Sequence, residues 1–191
     1  MKIWIKALLI LVIVIFVIKV SAHAASGTCR IGFDIQSMSM EPNMHIGDMI
    51  LVQSPQRTNI ITCEDGKTLN YKSFNDYGDV IIYHPYGRSH RTPIMHRAIF
   101  WIEKGEEMPG GEPAPHEGYI TKGDWNPRPD QLNIVTEPVK PEWVIGVARV
   151  RIPYIGYVLS GIRGTLLICA VIYVAIVGYL LKRKRMFSNP K

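Results

Sequence analysis

The stretch Ile94–Ile102 reads IMHRAIFWI and places one histidine and one arginine among apolar, β-branched and aromatic side chains. Such residues fit the pleated surface of a sheet, and a run of this length suits a strand better than a helix. Three more runs share this character and follow a glycine, proline or aspartate: MILVQ (Met49–Gln53), VIIYH (residues 80–84) and EWVIGVARVRI (residues 142–152). We therefore predict a mainly β domain in the middle of the chain.

Two long apolar runs flank this middle region. They read WIKALLILVIVIFVIKV (residues 4–20) and GTLLICAVIYVAIVGYLL (residues 164–181). A helix needs about 17–25 apolar residues to cross a bilayer, so both runs predict transmembrane helices. The expected organisation is an N-terminal anchor over residues 1–24, a β domain over residues 25–157, a second transmembrane helix over residues 158–185 and a short tail over residues 186–191.

The net charge of +6 comes from the ends of the chain. Seven of the 22 basic residues lie at the outer ends of the two apolar runs, whereas all 16 acidic residues fall between Asp34 and Glu142. Positive charge beside a span marks its cytoplasmic side, so we expect cytoplasmic termini and a middle domain across the membrane. Because that domain is nearly neutral, nucleic acid is not expected as a partner.

The first apolar run also permits a second interpretation. The segment SAHAAS that follows it places Ala22 and Ala24 at the A-x-A spacing of a cleavable secretory signal. We favour an uncleaved anchor because the second apolar run returns the chain to the cytoplasm. The sequence leaves cleavage at this site open.

The chain has three cysteines, and one of them, Cys169, lies inside the second apolar run. Cys29 and Cys63 both fall in the exported domain, where a disulfide is chemically possible, and the sequence leaves their pairing open. No Cys/His cluster has the spacing of a zinc site, so we expect no metal and no other cofactor.

The segment QSMSMEPNMHIGDMILV (residues 36–52) combines a Ser-x-Ser-Met-x-Pro turn with the start of a strand. Proline and neighbouring turn formers hold a backbone in a defined conformation, which suits a serine that must present its hydroxyl at fixed geometry. Taken alone, the segment is better explained as a turn before a strand. Its chemical interest depends on residues elsewhere in the chain.

Those residues are a strand histidine and two loop aspartates. His96 stands in the apolar run quoted first, and TKGDWNPRPD (residues 121–130) supplies Asp124 and Asp130. Separately, a strand histidine is usually a core residue and loop aspartates are usually turn formers. Together with Ser39 they supply a nucleophile, a base to take its proton and an acid to orient that base.

Six segments, in order along the chain, resemble the characteristic motifs of the signal peptidase I family: SMSMEP, GDMILV, GDVIIYHP, MHRAI, TKGDWNPRPD and GVARVRIPYIGYV. The resemblance covers residues 36–158. It implies a β-sheet or barrel catalytic domain beside two membrane helices. It also implies a serine endopeptidase that cleaves N-terminal signal peptides from exported preproteins after small residues, the A-x-A rule.

At position 96 the chain has histidine and so resembles the archaeal and endoplasmic-reticulum branch of this family, whereas the bacterial-type branch has lysine there. The resemblance implies Ser39 as nucleophile and His96 as general base. Asp124 and Asp130 both match acidic positions, and we favour Asp130 as the partner of His96 and Asp124 as a supporting charge or loop anchor. Ser37 matches the residue whose hydroxyl completes the oxyanion hole with the backbone amide of Ser39.

Two positions depart from the pattern of the family. Met38 stands where a glycine usually separates the two serines, and Trp125 replaces the first of two asparagines, leaving Asn126. Neither departure removes a catalytic group.

The resemblance also implies how a substrate binds. An extended peptide adds as a strand beside the catalytic sheet and places alternate side chains in pockets. The expected partners are exported preproteins and membrane lipid, and the need for accessory subunits is left open. Two alternatives are a dedicated maturation peptidase for one or a few secreted or surface proteins and a non-catalytic, membrane-anchored binding domain.

Overall fold

The computed structural model describes residues 3–28, 30–159 and 161–188. Its contacts separate the chain into a β unit, Ser26–Gly156, and a second unit made from the two ends of the chain.

The ends of the chain form two long helices, α1 (Ile3–Ser26) and α4 (Gly161–Ser188), and the short helix α3 (Ile155–Leu159) comes shortly before α4. Residues 3–26 and 166–184 are long and apolar enough to cross a membrane. At about 1.5 Å per residue, 24 residues of α1 exceed the roughly 30 Å of a hydrocarbon core. Both predicted apolar spans are therefore helical, and many of the large apolar side chains of α1 are exposed.

The β unit contains eight strands. They are β1 (Gly32–Asp34), β2 (Met49–Gln53), β3 (Lys72–Ser73), β4 (Asp76–Tyr77), β5 (Val80–Tyr83), β6 (Ile94–Ile102), β7 (Gly118–Lys122) and β8 (Val144–Ile152). Six of them form an antiparallel sheet in the order β1-β2-β8-β5-β6-β7, while β3 and β4 form a separate hairpin. The sheet curls into a half-barrel, and the prediction of a mainly β domain is confirmed.

The open sheet leaves β1 and β7 as its edge strands, and β6 is also open along part of its length. The first three residues of β6 pair only with β5, because pairing with β7 begins at Arg97. The free edges of β1 and of the first half of β6 therefore expose backbone groups that no neighbouring strand uses.

Apolar side chains pack against both faces of the six-stranded sheet. One cluster contains Met40 and Met44, which follow Ser39 in the chain, with these strand residues: Phe33, Ile50, Val52, Val80, Ile82 and Ala148. A second cluster contains other residues of β5 and β8, among them Ile81, Tyr83 and Val147. The candidate serine and histidine are thus attached to well-packed parts of the β unit.

Residues 56–77 form a polar stretch between β2 and β5. It contains the helix α2 (Cys63–Leu69) and the β3–β4 hairpin. The Thr62 hydroxyl accepts a hydrogen bond from the N–H of Asp65 at 3.1 Å, and Asn70 ends the helix in the left-handed conformation. Capping residues rather than apolar periodicity specify this helix.

Two further details concern expectations from the sequence. Cys63 is a free cysteine whose thiol pKa is raised by burial, and Cys29 lies outside the described residues. The stretch of residues 103–117, rich in glycine, proline and glutamate, buries Met108 and Ala114 in a small cluster with residues of β6 and β7.

Candidate active site

Ser39 lies in the turn between β1 and β2, and several contacts hold that turn. Met40 and Met44 are fully buried beside it. The N–H of Trp125 donates to the carbonyl oxygen of Ser39 at 3.0 Å. A Cβ added at Gly123 would lie 2.6 Å from the same oxygen, so only glycine allows this close approach.

The two serines of the turn are neighbours. Ser37 Oγ lies 3.2 Å from Ser39 Oγ. Met38 between them does not have a positive φ, and 62% of it is exposed. A side chain at this position therefore causes no backbone strain.

His96 lies on β6 with only 3% of its surface exposed. Its Nδ1 lies 2.6 Å from Asp130 Oδ2, an oxygen that also accepts hydrogen bonds from two hydroxyl groups. Because Oδ2 acts as an acceptor, the hydrogen-bond network assigns the ring proton to Nδ1. Nε2 then carries the lone pair, which is the form that a general base requires.

The two hydroxyl groups that donate hydrogen bonds to Asp130 belong to residues that were not predicted from the sequence. Tyr83 OH donates to Oδ2 at 3.0 Å and Thr121 Oγ1 donates at 2.7 Å. Burial, followed by the negative charge of Asp130, raises the pKa of Tyr83 well above its ordinary value, so its hydroxyl remains a donor. The other oxygen, Oδ1, is buried without a hydrogen-bond partner, so all three donors converge on a single oxygen.

One feature of the sequence pointed towards Tyr83. It ends an otherwise aliphatic strand, and a buried tyrosine usually directs its hydroxyl to a polar partner. The identity of that partner depends on register. Tyr83 pairs with Ile94 while Ile81 pairs with His96, which places Tyr83 and His96 on the same face of neighbouring strands.

Asp124 occupies a different environment on the same loop. Its two oxygens accept hydrogen bonds from Arg97 at 2.8 and 2.7 Å, and Asn43 Nδ2 donates at 2.8 Å. Arg97 also donates to the carbonyl oxygens of Ser73 and Gly78 at 2.9 and 2.8 Å. Of the two candidate aspartates, therefore, Asp130 contacts His96 and Asp124 contacts Arg97.

A cleft of about 520 Å³ brings the candidate residues together, because Ser37, Ser39 and His96 all line it. No hydrogen bond joins Ser39 Oγ to His96, although both residues belong to the described part of the chain. The cleft continues along the residues before each of them, from Arg30 on one wall and from Thr92 on the other.

The β6 wall presents free backbone groups to the cleft. The N–H of Ala98 donates to the carbonyl oxygen of Asp79, which sets the alternation of hydrogen bonds between β5 and β6. In an antiparallel pair every second residue directs its N–H and C=O away from its neighbour. By this alternation the backbone groups of Met95 point away from β5, where β7 does not reach them.

The β1 wall is arranged in the same way. The N–H of Ile35 donates to the carbonyl oxygen of Asp48, and the N–H of Val52 donates to that of Ile31. The alternation then directs the backbone groups of Asp34 away from β2. The cleft therefore lies between two strand edges that have free backbone donors and acceptors.

Among residues 3–28, 30–159 and 161–188, no group of three or more His, Cys, Asp or Glu side chains is placed to hold a metal ion. The roles of Ser39, His96, Asp130, Asp124 and Ser37 in a reaction stay predictions. No protein-family model matches the sequence, and no curated protein matches it.

Proposed function

We propose that this chain is a membrane-anchored serine endopeptidase that removes N-terminal signal peptides from exported preproteins. One observation carries the proposal: the buried His96–Asp130 pair borders the same cleft as the Ser39 hydroxyl. Burial shields the pair from water, and the assigned tautomer leaves Nε2 available to accept a proton.

In the first step Ser39 Oγ attacks the carbonyl carbon of the scissile peptide bond while His96 Nε2 takes the hydroxyl proton. Asp130 stabilises the imidazolium that forms. The Ser37 hydroxyl and the backbone N–H of Ser39 stabilise the negative charge on the substrate oxygen. The mechanism requires a hydrogen bond between Ser39 Oγ and His96 Nε2 to form when substrate binds.

The intermediate then collapses. The C–N bond breaks, and Nε2 returns its proton to the leaving amine, which is the new N-terminus of the mature protein. A water molecule, deprotonated by the same imidazole, attacks the ester on Ser39. The signal peptide leaves with a free carboxylate and Ser39 regains its proton, so atoms and charges balance.

The free edges of β1 and β6 support a peptide substrate over a small ester or amide. An extended chain between Asp34 and Met95 finds backbone donors and acceptors on both sides, and strand addition of this kind supplies affinity without reading sequence. Specificity for small residues then depends on how little room the walls leave beside Ser39. This substrate rule comes from the family resemblance.

The two apolar helices support a membrane location. Basic residues at their outer ends favour cytoplasmic termini, which would put the β unit on the opposite side, where exported chains emerge. A signal peptide held in the bilayer would then present its end to the same side as the cleft.

The proposal is tested with Ser39→Ala and His96→Ala in the full-length protein, purified in detergent and incubated with a preprotein. We expect each variant to lose at least about 10³-fold in cleavage rate, because each removes a group that acts in the bond-breaking step. Ser89→Ala and His90→Ala are matched controls, since both residues are exposed on the loop before β6. Normal processing by Ser39→Ala or by His96→Ala would refute the proposal.

A panel of unrelated preproteins extends the same assay. A general signal peptidase should process most of them at their A-x-A sites, whereas a dedicated maturation enzyme should process few.

A further inference from the structure

A second cavity, of about 240 Å³, adjoins the cleft at the loop that follows β7. Asn126 and Ile134 line both cavities, so the two are neighbours. The other lining residues come from the same loop: Pro127, Arg128, Pro129, Asp130 and Asn133.

Three polar side chains of this cavity have donors that the fold does not use. The side chains of Asn126, Arg128 and Asn133 make no hydrogen bond or ion pair with any described residue. Arg128 is exposed, and a guanidinium presents five N–H donors. Among the lining residues, all of which the structure describes, Arg128 is the only exposed charged side chain.

The position of this cavity relative to the candidate residues follows from the path of the chain. The cleft runs back from Ser39 towards Arg30 and back from His96 towards Thr92, and it reaches the loop after β7 only at Asn126 and Ile134. The second cavity lies on the loop between Gly123, which touches the Ser39 carbonyl, and Asp130, which holds His96. A peptide that leaves the cleft past the serine therefore meets this loop.

The chemistry decides which part of a substrate lies on each side. After the first step, the residues upstream of the cut remain bound to Ser39 as an ester and have to stay in place until water arrives. The cleft, with strand edges on both walls, suits that retained part. The downstream part leaves as an amine, and a shallow polar site suits a segment that departs at every turnover.

On the basis of the proposed peptidase activity, we propose that the second cavity binds the residues immediately downstream of the scissile bond. We further propose that Arg128 makes the enzyme prefer an acidic side chain there. Asp130 also lines the cavity, but three hydrogen bonds from within the fold, one of them from His96, partly compensate the charge of its carboxylate.

The test uses full-length protein in detergent and synthetic peptides with Ala-x-Ala before the cut and Glu, Gln or Lys at the first or second position after it. We expect kcat/KM to be about threefold to fivefold higher for Glu than for Lys at one of these positions, the range of an exposed ion pair. Arg128→Gln should remove this preference and Arg128→Glu should reverse it. High salt should weaken it in the wild-type protein.

Two controls separate a binding role from a structural one. The Gln peptide should be cleaved equally well by the wild-type protein and by Arg128→Gln, because no ion pair is lost. Lys104→Gln removes the same charge from an exposed position outside both cavities and should leave the Glu preference unchanged. Cleavage that depends on Ser39 but shows the same charge preference in every variant would overturn the inference and leave the peptidase function standing. If wild-type protein cleaves none of the peptides or preproteins, both fail.

Discussion

Asp124 and Asp130 lie on one loop and are both buried, with side-chain exposures of 5% and 0%. Their basic partners differ: one is an arginine and the other is a histidine. Asp124 meets the guanidinium of Arg97 through both oxygens and also accepts from Asn43. Asp130 meets the imidazole of His96 through one oxygen, and its second oxygen has no partner.

The difference separates a fixed charge pair from one that can exchange a proton. A guanidinium stays protonated at any working pH, so the Arg97–Asp124 pair is a fixed link between β6 and the loop after β7. An imidazole can accept a proton from a neighbouring hydroxyl and return it, so the His96–Asp130 pair can take part in proton transfer. An unsatisfied buried oxygen is rare in a folded protein and costs stability, which agrees with the catalytic role proposed for the second pair.

The largest effect that distinguishes the two pairs is expected for Asp130→Asn. The asparagine amide can donate to Nδ1, which moves the ring proton to Nε2 and removes the lone pair that has to accept the serine proton. We expect kcat for peptide cleavage to fall by about 10⁴-fold. The measurement is cleavage rate under saturating substrate with the full-length protein in detergent.

The same variant should unfold only slightly below the wild-type temperature, because the amide nitrogen that takes the place of Oδ2 can donate its second N–H to the hydroxyl oxygen of Tyr83 or of Thr121. Asp130→Asn with more than about a tenth of the wild-type activity would show that His96 does not depend on this carboxylate.

A large effect on stability is expected at the other pair. Arg97→Met leaves Asp124 as a buried charge without its partner, which costs about 3–5 kcal/mol of unfolding free energy. For a chain of this length the loss corresponds to a fall of roughly 10 °C in Tm. Thermal unfolding followed by circular dichroism in detergent measures it.

The double variant Arg97→Met/Asp124→Leu provides the control for that prediction. Replacing both charges by apolar side chains removes the unpaired charge, so part of the lost stability should return. Recovery stays incomplete because the carbonyl oxygens of Ser73 and Gly78 lose their donor. A double variant less stable than Arg97→Met would contradict the assignment of this pair as a structural clamp.

The sequence alone predicted four of the strands and the residue types of the candidate site. β-branched and aromatic runs after turn residues predicted β2, β5, β6 and β8, because local composition and length determine such strands. The apolar runs predicted α1 and α4 for the same reason. The helix α2 was missed because its specification lies in two capping residues, Thr62 and Asn70, and not in periodicity.

The environments of the aspartates could not be derived from spacing along the chain. Whether Asp124 or Asp130 meets His96 depends on how the loop after β7 folds back, and both positions are turn formers by composition. Tyr83 was missed for a related reason, since its contact with Asp130 depends on the β5–β6 register. The family resemblance supplied residue types, and the fold supplied their neighbours.

The smallest predicted effect concerns alkaline pH and tests the third donor to Asp130. The pKa of Tyr83 is raised well above its ordinary value by burial and by Asp130, whereas an unfolded tyrosine ionises near pH 10. Below about pH 10 both states keep the proton, so this residue adds no pH dependence. As the pH rises further, the unfolded chain releases the proton before the folded protein does, and stability falls by at most about 1.4 kcal/mol per pH unit.

Tyr83→Phe should lose this part of the decline in Tm between about pH 9 and pH 11. Tyr71→Phe is the matched control, because the Tyr71 hydroxyl contacts Asp79 and Arg149, a fixed charge pair like that of Asp124, and its pKa is raised less. An equal decline in Tm for wild type and Tyr83→Phe would mean that the Tyr83 hydroxyl is not held in a buried hydrogen bond to Asp130. The contrast drawn between the His96–Asp130 pair and the Arg97–Asp124 pair would then lose one of its supports.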